Sequence, residues 1–343
     1  MELRKIEEIL KEEPAFRLKQ VKKAIFQDLI ENWDEATPLP QNLRQKLSES
    51  CPLQELKAEK ILTSKDGETL KALFRLEDGL KIESVLMKHR DGRRTVCVSC
   101  QVGCSIGCQF CATGQQGFKR NLSADEIVAQ VLFFSRLLRT KPIENGSLSA
   151  EKVTNVVFMG MGEPFLNYDN VLEAIKILND KDGFNLGARH ISISTVGIIE
   201  GIKKFTKEKL QANLAISLHA PDNELRTELM PINKKYPIEK ILIAIDNYIK
   251  KTKRRVMFEY LMIDGVNDSP EQAKELAKLL KKPLYFINLI SFNPIGHSKF
   301  KPSPGWKIKK FKEILEKAGV VVTQRYRFGR EIKAACGQLA GRE

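Results

Sequence analysis

Val153-Thr-Asn-Val-Val-Phe-Met159, followed by Gly160-Met-Gly-Glu-Pro164 and by helical spacing over 169–180, is the stretch from which the fold is read. A short β-branched and apolar run, a Gly-bounded exit and an amphipathic helix make one βα unit. The same pattern predicts strands over 190–195, 212–218, 256–262, 284–291 and 320–325. Helices are predicted over 123–139, 198–206, 222–230, 237–251, 270–281 and 305–318. Parallel strands need crossover connections, so this alternation argues for an α/β fold with a parallel sheet. Six units with polar or Gly-rich residues after the strands favour a partial (β/α)6 barrel over a doubly wound sheet.

Upstream, Ile6, Ile9, Leu10, Phe16, Val21, Ala24, Ile25 and Leu29 recur at helical spacing, which predicts a small N-terminal helical accessory domain over 1–55. Residues 56–96 read as a β-hairpin linker, with strands over 69–76 and 80–87 separated by Glu77-Asp-Gly79. The barrel core is expected over 97–300 and a C-terminal segment over 301–343.

At 42% apolar and 29% charged residues, the 343-residue chain has the composition of a globular protein, which excludes collagen-like and disordered classes. No run approaches a membrane span, and the first ten residues alternate charged with apolar side chains where a signal peptide would be continuously apolar. The chain is therefore expected in the cytoplasm, off the membrane and as a monomer. Lys and Arg outnumber Asp and Glu by 57 to 43, and residues 231–343 alone carry +13 of the net +14. A field of that sign suits a polyanionic partner, although Lys-rich helices can also be merely solvated.

Five of the seven cysteines lie between Cys97 and Cys111, which in a reducing compartment points to metal or redox chemistry. Cys104-Ser-Ile-Gly-Cys108-Gln-Phe-Cys111 puts three thiols in one Gly-containing loop. A cuboidal 4Fe-4S cluster takes one thiolate per iron, so three would leave the fourth iron open to an amine and carboxylate. The alternative is zinc, with Cys97-x2-Cys100 and Cys108-x2-Cys111 as paired knuckles on a short spacer.

The Cys-x3-Cys-x-aromatic-Cys pattern resembles the signature of the radical S-adenosylmethionine (SAM) superfamily. Gly160-Met-Gly-Glu-Pro164 resembles the superfamily loop whose backbone and Glu hold the amino group of the methionine moiety, though by itself it reads as a tight strand exit. The run Cys111 to Leu122, the loop 160–167, Ser192-Ile-Ser-Thr-Val-Gly197, Ser217-Leu-His219, Phe292-Asn-Pro294 and Ala334-Ala-Cys-Gly-Gln-Leu339 together resemble one branch. That branch is the dual-specificity RNA methyltransferases, which methylate adenine C2 in 23S ribosomal RNA and in transfer RNA. A sister branch methylates C8; Gln115-Gln-Gly-Phe118 and Pro164 look like the C2 branch.

The resemblance implies Cys104, Cys108 and Cys111 as cluster ligands. It implies Gly162, Glu163, Ser194, Ser217, Leu218, His219 and Asn293 as SAM contacts. Each of these lies at or after the carboxyl end of a predicted strand, the face on which barrel enzymes assemble their sites. Taken singly, Ser194 and Ser217 could be ordinary strand-end residues, His219 a satisfied imidazole and Asn293 a turn former.

In the mechanism implied by the family, one SAM methylates Cys336, and a second, cleaved reductively on the open iron, yields a radical that takes hydrogen from the S-methyl group. The resulting carbon radical adds to adenine C2. Glu83 then removes the C2 proton and Cys97 attacks the Cys336 sulfur to release the product. An electron donor such as flavodoxin is implied. Read without the family, Glu83 is a solvent-facing strand residue and Cys336 a buried structural thiol. Cys100 stands where the family usually has Ser, and Cys51 is a bystander. Basic clusters at Lys251-Thr-Lys-Arg-Arg255, Lys307-Ile-Lys-Lys-Phe-Lys312 and Arg325-Tyr-Arg-Phe-Gly-Arg330 are expected to meet RNA.

Overall fold

Val256-Met-Phe-Glu-Tyr-Leu-Met262 shows almost no polar-apolar alternation, the mark of a parallel strand covered on both faces. In the computed structural model it is an interior strand of a large sheet, third from one edge. Described are residues 3–53, 56–139, 151–296, 298–325, 329 and 331–341. The strands are β1 (Ala58–Thr63), β2 (Thr69–Arg75), β3 (Lys81–Lys88), β4 (Arg94–Val98), β5 (Gln101–Gly103), β6 (Phe118–Asn121), β7 (Asn155–Phe158), β8 (Ile191–Thr195), β9 (Asn213–Ser217), β10 (Val256–Met262), β11 (Tyr285–Ser291) and β12 (Val322–Gln324). The helices are α1 (Leu3–Ile9), α2 (Phe16–Phe26), α3 (Gln41–Ser50), α4 (Ala124–Arg139), α5 (Tyr168–Asn179), α6 (Ile199–Phe205), α7 (Asn223–Leu229), α8 (Ile238–Thr252), α9 (Pro270–Leu280) and α10 (Gly305–Lys317).

The main sheet runs β1-β2-β3-β4-β7-β8-β9-β10-β11-β12. From β4 to β12 every pairing is parallel, whereas β1 to β4 pair antiparallel. The two edges, β1 and β12, do not pair with each other, so the expected partial barrel is formed as an open one. Every predicted strand and helix of the repeating region is present, mostly one or two residues shorter at its ends. The hairpin expected over 69–87 is β2–β3, joined by a β1 that was not expected. Also unexpected is β4, the first parallel strand, which spans the boundary placed between residues 96 and 97. It is short and ends in the cysteine-rich stretch, so it carries little periodicity of its own.

The helices pack by apolar stripes. On α8, Ile238, Ile241, Leu242, Ile245 and Tyr248 are buried at the i, i+3, i+4 spacing. At the start of α9 the Ser269 hydroxyl accepts from the Gln272 N–H while the Gln272 side chain accepts from the Ser269 N–H, with Pro270 in the first turn. The N-terminal helices bury Ile6, Val21, Ile25, Trp33 and Leu47, and Trp33 Nε1 donates to the Cys51 carbonyl at 2.8 Å. This unit docks on the end of α5, where Lys22 pairs with Asp180 at 2.8 Å and Phe26 packs on Phe184.

The hairpin β5–β6 brackets the cysteine loop. Gly103, at φ +74°, ends β5, and a Cβ there would lie 1.9 Å from the Gly117 carbonyl oxygen, which accepts the Cys104 N–H at 3.0 Å. Gly103→Ala must therefore push the two backbones apart and lose that bond. A loss of about 2–4 kcal/mol in unfolding free energy is expected, read by thermal or denaturant unfolding; a neutral variant would contradict the close approach.

Candidate functional site

At the carboxyl ends of β7 to β10, one cavity of about 140 Å³ is lined by Cys104, Cys108 and Cys111 on one side and by Gly162, Glu163, Ser194, Ser217 and His219 on another. Cys336 reaches it from the C-terminal segment, next to Arg325 and Glu259. Glycine is needed at the exit of β7, because a Cβ at Gly160 would meet the Val98 carbonyl oxygen at 2.7 Å and one at Gly162, φ +101°, the Gln101 side chain at 2.5 Å.

The cysteine loop is held by the end of α7 and by the C-terminal segment. Gln109 N–H donates to the Leu229 carbonyl at 3.0 Å and Ala112 N–H to the Gly337 carbonyl at 2.7 Å, while Thr113 Oγ1 donates to the Leu339 carbonyl at 2.6 Å. Burial pushes the Cys104 thiol up to about 12 and Cys108 well above its ordinary value. In this setting these two thiols are neutral unless a metal's positive charge holds them as thiolates.

Glu163 is the capping acceptor of a short turn: its Oε1 accepts from Phe165 N–H at 3.0 Å and its Oε2 from Val196 N–H at 2.9 Å. Burial outweighs those bonds and raises it to about 7. His219 adopts φ +62°, and its Nδ1 accepts from Leu261 N–H at 3.1 Å, which leaves the ring proton on Nε2. Burial lowers His219 to about 4. Its ring meets Phe110 edge-on, with centroids 4.9 Å apart.

Arg226 is fully buried behind the cavity and finds only neutral acceptors. It donates to the Leu218, Ser217, Val196 and Tyr236 carbonyls and to Asn233 Oδ1, gathering the ends of β8 and β9. Burial lowers it to about 10, and the nearby Cys108 works in the opposite direction.

The Radical SAM superfamily model matches residues 98–280. A Chloroflexus aurantiacus protein described as "Probable dual-specificity RNA methyltransferase RlmN" is 49% identical over 336 residues, covering 96% of this chain and 88% of that protein. A Dictyoglomus thermophilum protein with the same description is 48% identical over 327 residues, covering 95% and 91%. The chain belongs to the dual-specificity RNA methyltransferases of the radical SAM superfamily. A solved radical SAM methyltransferase from Sphaerobacter thermophilus superposes with a TM-score of 0.92 at 44% identity, covering 100% of this chain and 98% of that one.

Of the residues that the resemblance to this family implied, the three loop cysteines, Gly162, Glu163, Ser194, Ser217, His219 and Cys336 share the cavity. Leu218 is buried behind it and donates its N–H to the Glu259 carbonyl. Asn293 also lies outside the lining: its Nδ2 donates to the Cys336 carbonyl at 3.3 Å, and its buried Oδ1 has no partner among the described residues. Cys97, on β4, is buried, and burial first, then Cys336, push its thiol up to about 12.

The paired-knuckle arrangement for zinc is not formed. Cys108 and Cys111 line the cavity with Cys104, whereas Cys97 and Cys100 are outside its lining. Among the described residues no three His, Cys, Asp or Glu converge tightly enough for a single ion. Three thiols spaced around a cavity suit a cluster, which takes them on separate irons. The raised Glu163 carboxyl, which lines the same cavity as those thiols, suits a ligand bearing an ammonium.

Glu83 is not a solvent-facing strand residue: it is 1% exposed. Its Oε1 pairs with Lys71 Nζ at 2.6 Å and its Oε2 accepts from the Ala340 and Gly341 N–H groups at 2.6 and 3.1 Å. It lines a second cavity of about 530 Å³ with Lys71, Gln116 and Gln338, separate from the cavity that the thiols line.

The basic clusters separate. Lys253, Arg254 and Arg255 precede β10, and Arg254 Nη2 donates to Asn213 at the start of β9, so this cluster sits at the opposite ends of the strands from the thiol cavity. Lys307 pairs with Asp264 and Asp268 at 2.7 and 3.3 Å. Arg325 faces inward to Glu259 and Cys336, not outward to RNA; Tyr326, Arg327, Phe328 and Arg330 lie outside the described residues. Glu259 and Arg325 were not among the predicted site residues. A lone acid in the otherwise apolar β10 was the available signal for Glu259, whereas Arg325 was hidden in a basic run.

Because burial raises Glu163 to about 7 from an ordinary 4.5, the folded chain holds a proton there that the unfolded chain has already released. Stability from this group therefore falls as pH rises from about 4.5 to about 7. Glu163→Gln removes that slope. The cluster-free variant should gain on wild type across that window, by up to about 3 kcal/mol at pH 7, in thermal unfolding at matched pH values. Profiles that stay parallel would contradict the assignment.

Proposed function

We propose that this enzyme methylates C2 of adenine in 23S ribosomal RNA and in transfer RNA, through an S-methylcysteine on Cys336 and with two SAM consumed per turnover. The observation that carries the reading is the meeting, in one cavity, of three loop thiols with a fourth thiol from the C-terminal segment. Carbon 2 of adenine is electrophilic and offers no lone pair, so direct transfer of a methyl cation to it fails and a carrier is required.

When bound, a 4Fe-4S cluster with SAM on its open iron supplies one-electron cleavage and a hydrogen-abstracting radical. Cys104, Cys108 and Cys111 would hold it. Glu163, with Gly162, Ser194, Ser217, His219 and Asn293, would hold SAM, the Glu163 carboxylate accepting from its ammonium. A neutral His219 adds no positive charge beside a cationic sulfonium.

Cys336 accepts the first methyl group, its sulfur forming the S–C bond as its proton leaves to solvent. After the carbon has been joined to adenine and the unpaired electron of the adduct has been handed back to the electron donor, the Cys97 thiolate attacks the Cys336 sulfur, the bond from that sulfur to the carbon breaks, a disulfide forms, and the released carbon takes a proton to stay on the base as a methyl group. Glu83 takes the C2 proton, for which it must exchange its bonds to Lys71 or to the Ala340 and Gly341 N–H groups. An electron donor such as flavodoxin would reduce both the cluster and the disulfide. The target base must leave its stack to reach the cavity.

Nucleoside mass spectrometry of ribosomal and transfer RNA, with and without the gene, tests the reading: 2-methyladenosine should disappear from both. A product bearing the methyl group on C8, or no change in either RNA, would overturn it. Replacing Cys104, Cys108 and Cys111 together with Ala should abolish iron binding. Cys336→Ala should leave RNA free and unmodified, whereas Cys97→Ala should accumulate protein covalently joined to RNA through Cys336, a nuclease-sensitive shift on a denaturing gel. In Cys97→Ala the neighbouring Cys100 is a substitute thiol, so the Cys97→Ala, Cys100→Ala double variant should trap more.

A further inference from the structure

Arg325 follows β12 and turns its guanidinium into the cavity, where each nitrogen has a partner. Nη2 donates to Glu259 Oε1 at 2.5 Å and lies 3.6 Å from the Met159 sulfur. With the Asn288 amide oxygen facing the guanidinium, that oxygen accepts from Nε at 3.2 Å. Nη1 donates to Cys336 Sγ at 3.2 Å.

An Arg and a carboxylate commonly meet through two parallel hydrogen bonds. Here the second carboxylate oxygen is taken elsewhere: Glu259 Oε2 accepts from Ser194 Oγ at 2.5 Å, with Ser217 Oγ at 3.5 Å. The pair is thus opened to one bond, and one arm of the guanidinium is left for the sulfur. A neutral thiol is a weak acceptor and a thiolate a strong one, so the charged donor at that distance aims the sulfur and binds it most tightly as it gives up its proton. The other charged or titratable groups facing this sulfur are Glu259 behind Arg325, Cys97 on β4, and, across the same cavity, Glu163, His219 and the three loop thiols.

We propose that Arg325 activates and aims the Cys336 sulfur as the methyl acceptor, and that Glu259 is the positioning residue that holds Arg325 in place; this rests on the reading of Cys336 as methyl carrier. The thiol proton goes to solvent, the sulfur lone pair forms the bond to the methyl carbon of SAM, and the carbon–sulfonium bond breaks to leave S-adenosylhomocysteine. No oxidant or reductant enters this step. Once methylated, the sulfur is an uncharged thioether and its bond to Arg325 weakens, which frees the S-methyl group to move.

The test uses anaerobically purified, cluster-loaded enzyme, reduced and desalted, as wild type and as Arg325→Met, Arg325→Lys and Glu259→Gln. The rate of iodoacetamide alkylation is read on the Cys336 peptide by mass spectrometry, together with S-methylcysteine in that peptide and the melting temperature. Arg325→Met fills the same space without a donor and should slow alkylation by about tenfold to a hundredfold, with Arg325→Lys recovering much of the loss and Glu259→Gln falling between. Alkylation of Arg325→Met at the wild-type rate would overturn the proposal. If that variant does not fold, wild-type alkylation in Glu259→Gln, the variant that frees Arg325 from its charged anchor, overturns it instead. Slowed alkylation in a protein that never carries methyl on Cys336 would sink the methyl-carrier reading while the contact between Arg325 and the thiolate stood.

Discussion

The bond from the Ala112 N–H to the Gly337 carbonyl, 2.7 Å long, ties the cysteine loop to a segment more than two hundred residues further along the chain. Beside it, Thr113 Oγ1 donates to the Leu339 carbonyl and Gln116 to that of Ala340. Each is worth only about 1 kcal/mol net, but they set where Cys336 can stand relative to the three loop thiols. Lys71 and Glu83 complete the attachment by anchoring the Ala340 and Gly341 N–H groups to β2 and β3. The antiparallel extension of the sheet thus positions the C-terminal segment across the mouth of the barrel.

That geometry gathers several buried ionisable groups, and the protein handles each differently. Glu259 and Arg325 neutralise one another, and the pairing holds Glu259 below its ordinary value although burial alone would raise it. His219 is kept neutral, and its ring orientation is set by a backbone N–H. Glu163 has only neutral donors and therefore tends to keep its proton until a cation arrives. Arg226 is the converse case, a buried cation surrounded by carbonyls. A buried unpaired charge is costly, so Glu163, which lines the cavity, suits a ligand that brings positive charge, whereas Arg226 behind it is satisfied by carbonyls alone.

The open sheet also explains why charge along the sequence is a poor guide to function. Residues 253–255 lie at the amino ends of the strands and the thiols at the carboxyl ends, so two features of one fold face opposite directions. Arg325, in a third basic run, points inward, because β12 ends beside Glu259 and the unpaired carboxylate there would otherwise be stranded.

The repeating βα pattern, the three-thiol loop and the glycines after β7 were legible in the sequence because each is local. Strand and helix periods, loop spacing and turn chemistry depend on neighbours a few residues apart. β4 was missed because a five-residue strand carries too little periodicity, and β1 because Ala58–Thr63 is a mostly exposed edge. Glu259 lay inside a correctly predicted strand, yet its partners Ser194 and Arg325 come from two others. Glu83 on β3 reads as an ordinary exposed carboxylate until the C-terminal segment folds over it. The sequence by itself determined the elements and their order, and motif resemblance pointed to the thiols. Only the tertiary structure decided which charges pair, which thiol meets which cation and which basic residues face outward, because those depend on contacts between distant segments that no local pattern encodes.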